Sequence, residues 1–150
     1  MRLGRITKTE LKPMPQTDKA ESWQWMISFY ENLIGWQGLR FVPLLNLVKM
    51  IAASDDASTF RAGQSLDALI ISTTSYHGLL QDDPHIFVQA EQTTDLFVLE
   101  YWCGHNQDNL LLKSTCKAGE LMNRLSPLLK RLWHDTLGKD ATQQDSMPYY

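Results

Sequence analysis

The sequence is poor in cysteine, with Cys103 and Cys116 as its two examples in 150 residues. They stand at the two ends of a predicted β-hairpin, where about six rungs at ~3.3 Å per residue would hold them ~20 Å apart. A disulfide needs Cα atoms within ~7 Å of each other, so we expect two free thiols. Free thiols are typical of a reducing compartment, and the sequence therefore predicts a cytoplasmic protein.

Motifs that would name a location or a reaction are also absent. No apolar run approaches the ~18 residues of a membrane helix, and no apolar segment follows the basic N-terminus, as a signal peptide requires. A phosphate-binding glycine pattern, a nucleophile elbow and paired zinc-ligand cysteines do not occur. We expect no membrane association, no metal, no cofactor and no catalytic residue, so a binding protein is a better hypothesis than an enzyme.

Positive charge is scarce, since the net charge of the chain is −3. This balance argues against a nucleic-acid partner. The acids are concentrated in residues 41–110, where nine acidic and two basic residues sum to −7. Solvated loops are the simplest explanation of this stretch, and an acidic surface that binds a basic partner is the alternative.

The segment Asp95–Cys116 predicts a β-hairpin, and the rest of the chain can be arranged around it. Two runs rich in aromatic and aliphatic residues flank a polar, turn-prone stretch at residues 104–109. A four-residue loop predicts these cross-strand pairs: Phe97 with Cys116, Glu100 with Lys113, and Trp102 with Leu111. One face of the hairpin is then largely apolar, while the charged pair on the other face contributes roughly 0.2–1 kcal/mol.

Two further strands are predicted before the hairpin. The first of them spans residues 85–90 and continues the apolar face, with Val88 opposite Phe97. The other begins near Ala68 in residues 66–74, because this segment is rich in β-branched residues. The alternative is a short helix capped by Ser65. Strands that share one apolar face in sequence order indicate an antiparallel meander.

Residues 18–36 carry the strongest helix signal in the chain. Asp18 can cap the first turn, and Gly38 can end the helix. One continuous apolar stripe consists of Trp23, Met26, Ile27, Tyr30, Leu33 and Ile34. A second set, consisting of Trp25, Phe29 and Trp36, widens the apolar arc to roughly half of the circumference. Either the helix is packed between two layers of its own domain, or the second set contacts another subunit or a partner, which we favour.

Three other segments complete the predicted elements. A second helix begins near Pro43, and Ser54 ends it or caps a further short turn. Residues 60–65 are predicted to be a loop. A closing helix spans residues 117–137, with a kink or two abutting helices at Pro127.

The predicted fold class is α+β: an antiparallel β-meander of about four strands, with N-terminal helices and a C-terminal helix packed on it. Hydrophobic residues make up 43% of the chain and charged residues 21%, which is typical of a globular domain rather than a disordered one. We expect a flexible N-terminal segment at residues 1–17, a single domain at residues 18–138 and a polar tail at residues 139–150.

One loop gathers groups that could bind a ligand. Two imidazoles, two carboxylates and a phenol occur within ten residues, at Tyr76, His77, Asp82, Asp83 and His85. Such groups can hold a small molecule or supply a general base, although side chains of this kind are more often simply solvated in a loop.

Two function hypotheses follow from these features. The preferred one is a small cytoplasmic binding or assembly module that self-associates, or binds a protein partner, through Trp25, Phe29 and Trp36, comparable in type to small adaptors and chaperones. The alternative is a small enzyme or ligand-binding protein that uses the loop at residues 76–85.

Overall fold

The computed structural model describes residues 18–74, 83–104 and 106–145. The helices in these ranges are α1 at Lys19–Gln37, α2 at Val42–Ala52 and α3 at Leu121–Asp145. The strands are β1 at Arg61–Ser65, β2 at Ala68–Ser72, β3 at His85–Ala90, β4 at Leu96–Trp102 and β5 at Leu110–Lys117. They form one sheet in the order β1-β2-β3-β4-β5, with every neighbouring pair antiparallel. The α+β class is confirmed, with five strands instead of about four.

Helix α1 begins and ends close to where its sequence predicts. The Asp18 side chain accepts a hydrogen bond from the backbone N–H of Glu21 at 2.8 Å, which satisfies one of the amides that the first turn leaves unpaired. At the other end, Gly38 has a φ of 97°. This left-handed conformation carries no steric cost in glycine, because glycine lacks a Cβ atom.

The sequence predictions for the other two helices are correct for α2 but only partly correct for α3. Pro43 lies in the first turn of α2, and Ser54 caps a short 3₁₀ helix at Asp55–Ser58, as predicted. Helix α3 passes through Pro127 as one helix and continues beyond Gly138, so the alternative of two abutting helices is wrong. Proline removes one backbone hydrogen bond from a helix, but the buried leucines along the inner side of α3 hold both halves against the sheet.

The strand that the sequence did not predict is β1, at one edge of the sheet. Gly63 and its polar neighbours have low strand propensity, which indicated a loop. Tertiary contacts hold the segment instead. On one side β1 pairs with β2 through a two-residue turn that starts at Leu66, whose φ is 56°. On the other side the hydroxyl of Ser22 in α1 accepts a hydrogen bond from the Ala62 N–H at 2.9 Å.

The predicted register of β4 on β5 is confirmed along most of the hairpin. Phe97 pairs with Cys116, and Glu100 pairs with Lys113. The Nζ atom of Lys113 lies 3.8 Å from a carboxylate oxygen of Glu100, on the face of the hairpin opposite Phe97. Cys103 and Cys116 are both free, as the register implies.

The hairpin departs from the predicted register next to its turn. A β-bulge after Tyr101 pairs Trp102 with Leu110, where Leu111 was expected. The Cys103 N–H donates to the carbonyl of Asn109 at 2.9 Å and closes the turn beyond the bulge. A bulge adds one residue to one strand without disturbing the pairs further along, which explains why the rest of the register holds.

The predicted register of β3 on β4 is wrong by two residues. Val88 pairs with Leu99 instead of Phe97. The reason is the position of the turn: the Glu91 N–H donates to the carbonyl of Leu96 at 3.0 Å, so the turn consists of residues 92–95 and lies one residue later than expected. Because side chains alternate with a period of two, a shift of two residues leaves the apolar face of β3 on the correct side of the sheet.

The core lies between one face of the sheet and the three helices. Alternate strand residues fill this face, among them Leu69, Ile71, Ile86, Val88, Leu99 and Tyr101. The helices contribute Trp23, Met26 and Tyr30 from α1, Leu44, Leu47, Val48 and Ile51 from α2, and Leu121, Leu125, Leu128, Leu129 and Leu132 from α3. Because Trp23, Met26 and Tyr30 are buried in this core, a different side of α1 is left to contact solvent or another molecule.

The buried phenol of Tyr101 predicts a loss of stability at alkaline pH. Its hydroxyl donates to Asp135 at 2.6 Å, and burial, together with the hydrogen bond to Asp135, raises the pKa of Tyr101 above its ordinary 10.0. The unfolded state therefore releases this proton first, so the free energy of unfolding should fall above pH 10, by up to about 1.4 kcal/mol per pH unit. Burial raises the pKa of Tyr30 as well, which steepens the fall.

Urea denaturation at a series of alkaline pH values measures this slope. Tyr101→Phe should flatten it by up to about 1.4 kcal/mol per pH unit relative to the wild type, while the slope due to Tyr30 persists. Equal slopes for the two proteins would contradict the assignment.

Candidate functional site

The most exposed aromatic side chains of the described chain include two on α1. Trp36 is 83% exposed and Trp25 is 41% exposed, and both lie on the same side of the helix as the half-buried Phe29. We call Trp25, Phe29 and Trp36 the aromatic row. At 100° per residue the middle of the row lies about 80–140° around the helix from Trp23, Met26 and Tyr30, which face the core.

Hydrogen bonds fix α1 beside β1 and so fix the orientation of the aromatic row. The bonds join Ser22 to Ala62, the indole N–H of Trp23 to the Phe60 carbonyl at 2.8 Å, and the hydroxyl of Tyr30 to the Asp67 carbonyl at 3.0 Å. The bond between Tyr30 and Asp67 places this part of α1 beside the turn after β1, where Leu66 is exposed.

The aromatic row carries no charge. The charged residues of α1 are Lys19, Glu21 and Glu31. Lys19 donates to the carbonyl of Thr59 at 3.1 Å, and a carboxylate oxygen of Glu31 lies 4.0 Å from Lys49 on α2. Glu21 belongs to the first turn, one turn before the row begins. Between Glu21 and Glu31, the exposed residues of α1 are Gln24, Trp25 and Ser28, none of which is charged.

The predicted ligand loop is described only in part. Tyr76, His77 and Asp82 lie outside the described residues. Asp83 and His85 are buried, and the His85 Nδ1 lies 3.1 Å from the Asp83 carbonyl oxygen. The His85 ring stacks on Trp102 with centroids 6.2 Å apart.

Other buried polar residues lie near Asp83 and His85 in the sheet. The Nε of Arg61 donates to the Thr74 carbonyl at 3.0 Å, and the hydroxyls of Ser72 and Thr74 are 3.2 Å apart. Burial lowers the pKa of Arg61. Sequence reasoning missed Arg61, because its segment was predicted to be a loop. In the described residues these contacts tie the ends of β1 and β2 together, which is a structural role.

Two surface grooves of about 390 Å³ each lie elsewhere. One runs between the 3₁₀ helix at Asp55–Ser58 and α3, and its apolar lining consists of Phe60, Leu129 and Trp133. The other lies at the opposite end of the sheet, beside Arg40 and the β3–β4 turn. The aromatic row lines neither groove.

The part of the chain that the structure describes contains neither a cluster of metal ligands nor a membrane-spanning helix. No group of three or more His, Cys, Asp or Glu side chains there could hold a metal ion. No helix there has the length and apolar character needed to cross a bilayer. No protein-family model, curated protein or solved structure matches the chain.

Proposed function

We propose that the protein is a small binding or assembly module that self-associates through the aromatic row of α1. The observation that carries the proposal is the exposure of Trp36 and Trp25 on a helix whose inner side already fills the core. Large exposed apolar patches are rare on monomers unless they have a use, and tryptophan is enriched among the residues that contribute most of the binding energy at protein interfaces.

The charge of the surface supports a second copy of the chain as the partner. A two-fold contact places the same patch of both subunits together, so the patch must tolerate its own charge. The three side chains of the aromatic row meet this condition, because none of them is charged. Of the acids of α1, Glu31 lies 4.0 Å from Lys49 of α2, and Glu21 lies one turn before Trp25. A strongly basic partner would instead be selected by an acidic surface, which the row does not offer.

The expected size of the contact indicates how far it extends. A stable interface buries about 800 Å² on each partner, whereas a fully buried aromatic side chain contributes about 150–250 Å². The row is already partly covered by its own domain, so it cannot supply the whole area. Leu39, which is 77% exposed three residues after Trp36, and Leu66, which is 87% exposed in the turn after β1, are exposed apolar side chains available to extend it.

The cytoplasm is the compartment that fits this proposal. Both cysteines are free, as is typical of proteins in a reducing environment. An adaptor or chaperone role would suit a small self-associating module, and this part of the proposal depends on analogy of type alone.

Sedimentation equilibrium over a wide range of protein concentration tests the proposal directly. We expect the mass of two chains at micromolar concentration and a fall towards one chain on dilution, as reversible association requires. A single-chain mass at every concentration would refute self-association through this or any other surface.

A further inference from the structure

The spacing of the aromatic row matches the seam of a helix pair. Trp25, Phe29 and Trp36 leave one gap, and Asn32 occupies it, so the four positions advance by four, three and four residues. This is the alternating spacing of a and d positions in paired helices. Asn32 is exposed in the single chain, as a residue at an unoccupied seam would be.

A single asparagine in an otherwise apolar seam has a recognised physical effect. Its amide must find a hydrogen-bond partner when the seam closes, because burying an unpaired amide is costly. A hydrogen-bond partner for the amide is present only in the alignment of the two helices that places another polar group opposite it. Such a residue weakens the association but selects one register and one oligomeric state.

We propose that Asn32 lies at the centre of the contact between two copies of α1 and selects their alignment. The inference rests on the proposed self-association. In a parallel pair the two-fold axis runs along the seam, and the two Asn32 side chains are directly opposite each other. In an antiparallel pair whose axis crosses the middle of the row, they are offset by about 4.5 Å along the helix, and each also faces Phe29 of the other copy.

Two substitutions at this position should act in opposite directions. Asn32→Asp places two carboxylates beside each other, so the dissociation constant should rise at least about tenfold at low salt and recover partly at high salt. Asn32→Leu removes the buried amides, so the dissociation constant should fall at least about tenfold and species larger than the dimer should appear.

Gln24 provides the matched control on the same helix. It is exposed, uncharged and about 100° around α1 from Trp25. Gln24→Asp and Gln24→Leu should leave the dissociation constant and the distribution of species unchanged. Circular dichroism should show the wild-type fold for all four variants, because neither position contributes to the core.

The outcomes separate this inference from the proposed function. A wild-type dimer that the loss of Trp25 and Trp36 dissociates, but that neither Asn32 variant affects, would refute the alignment role and leave the aromatic row as the interface. Equal effects at Gln24 and Asn32 would refute it as well. A monomeric wild type would refute both proposals.

Discussion

Trp25→Ala combined with Trp36→Ala should dissociate the proposed dimer and leave the fold of each chain nearly unchanged. Each dimer loses four tryptophans, and a tryptophan that acts as an interface hot spot contributes about 2 kcal/mol or more, so the dissociation constant should rise by at least about three orders of magnitude. Trp36 makes little contact with its own domain, since 83% of its surface is exposed. Sedimentation equilibrium measures the first effect, and circular dichroism with thermal melting measures the second.

Trp133→Ala is the control for this pair of substitutions. Trp133 is 42% exposed, almost the same as Trp25, but it belongs to α3. Its loss should leave the mass of the protein in solution unchanged. An unchanged dimer in the double variant would contradict the proposal, and a steep fall in its melting temperature would show that the row belongs to the core.

Phe29 is excluded from the double variant for a structural reason. Its ring meets the buried Tyr30 ring edge-on, with centroids 5.1 Å apart, and it packs against the core cluster. Phe29→Ala would therefore lower the stability of the domain whether or not the row is an interface. The sequence predicted one apolar set of three residues, but only two of them are clean probes of a contact.

The sheet shows what sequence patterns can and cannot determine. The register of β4 on β5 could be predicted because two constraints agree, the apolar face and the opposite charges of Glu100 and Lys113. The register of β3 on β4 had only the apolar face. Alternation distinguishes odd shifts from even ones, so an error of two residues at Val88 kept every side chain on the correct face and could not be detected.

The missing strand β1 illustrates a second limit. A short edge strand with weak propensity forms because neighbours satisfy its backbone, here β2 and the hydroxyl of Ser22. Ser22 and Ala62 are forty residues apart in the chain, so no local pattern relates them. The same error concealed Arg61, whose burial depends on the strand.

The sequence could predict which residues form the candidate interface, but not which of them are exposed to solvent. Helical periodicity places Trp25, Phe29 and Trp36 on one side of α1, and it indicates an apolar arc wider than a surface helix requires. Which part of that arc faces the core depends on the position of β1 beside the helix. The hydrogen bonds of Ser22 and Trp23 to the β1 segment decide it.

Trp23→Ala should have the opposite consequence to the loss of Trp36, although both residues are tryptophans of α1. Trp23 is fully buried and donates its indole N–H to the Phe60 carbonyl. Its replacement should lower the free energy of unfolding by about 3–5 kcal/mol, a large fraction of the roughly 5–15 kcal/mol of a typical domain. Trp36→Ala should change it by less than about 0.5 kcal/mol.

The comparison is best made in a chain that already carries Trp25→Ala and Trp36→Ala, because dimerisation would otherwise add to the apparent stability of the folded state. Urea denaturation of this chain with and without Trp23→Ala then measures the core contribution alone. Trp23→Phe keeps most of the side-chain volume but loses the hydrogen bond. Its free energy of unfolding should therefore lie between those of the chains with and without Trp23→Ala. Equal stability with and without Trp23 would mean that α1 is not fixed to β1 in the way that exposes the aromatic row, and the proposed interface would lose its geometric basis.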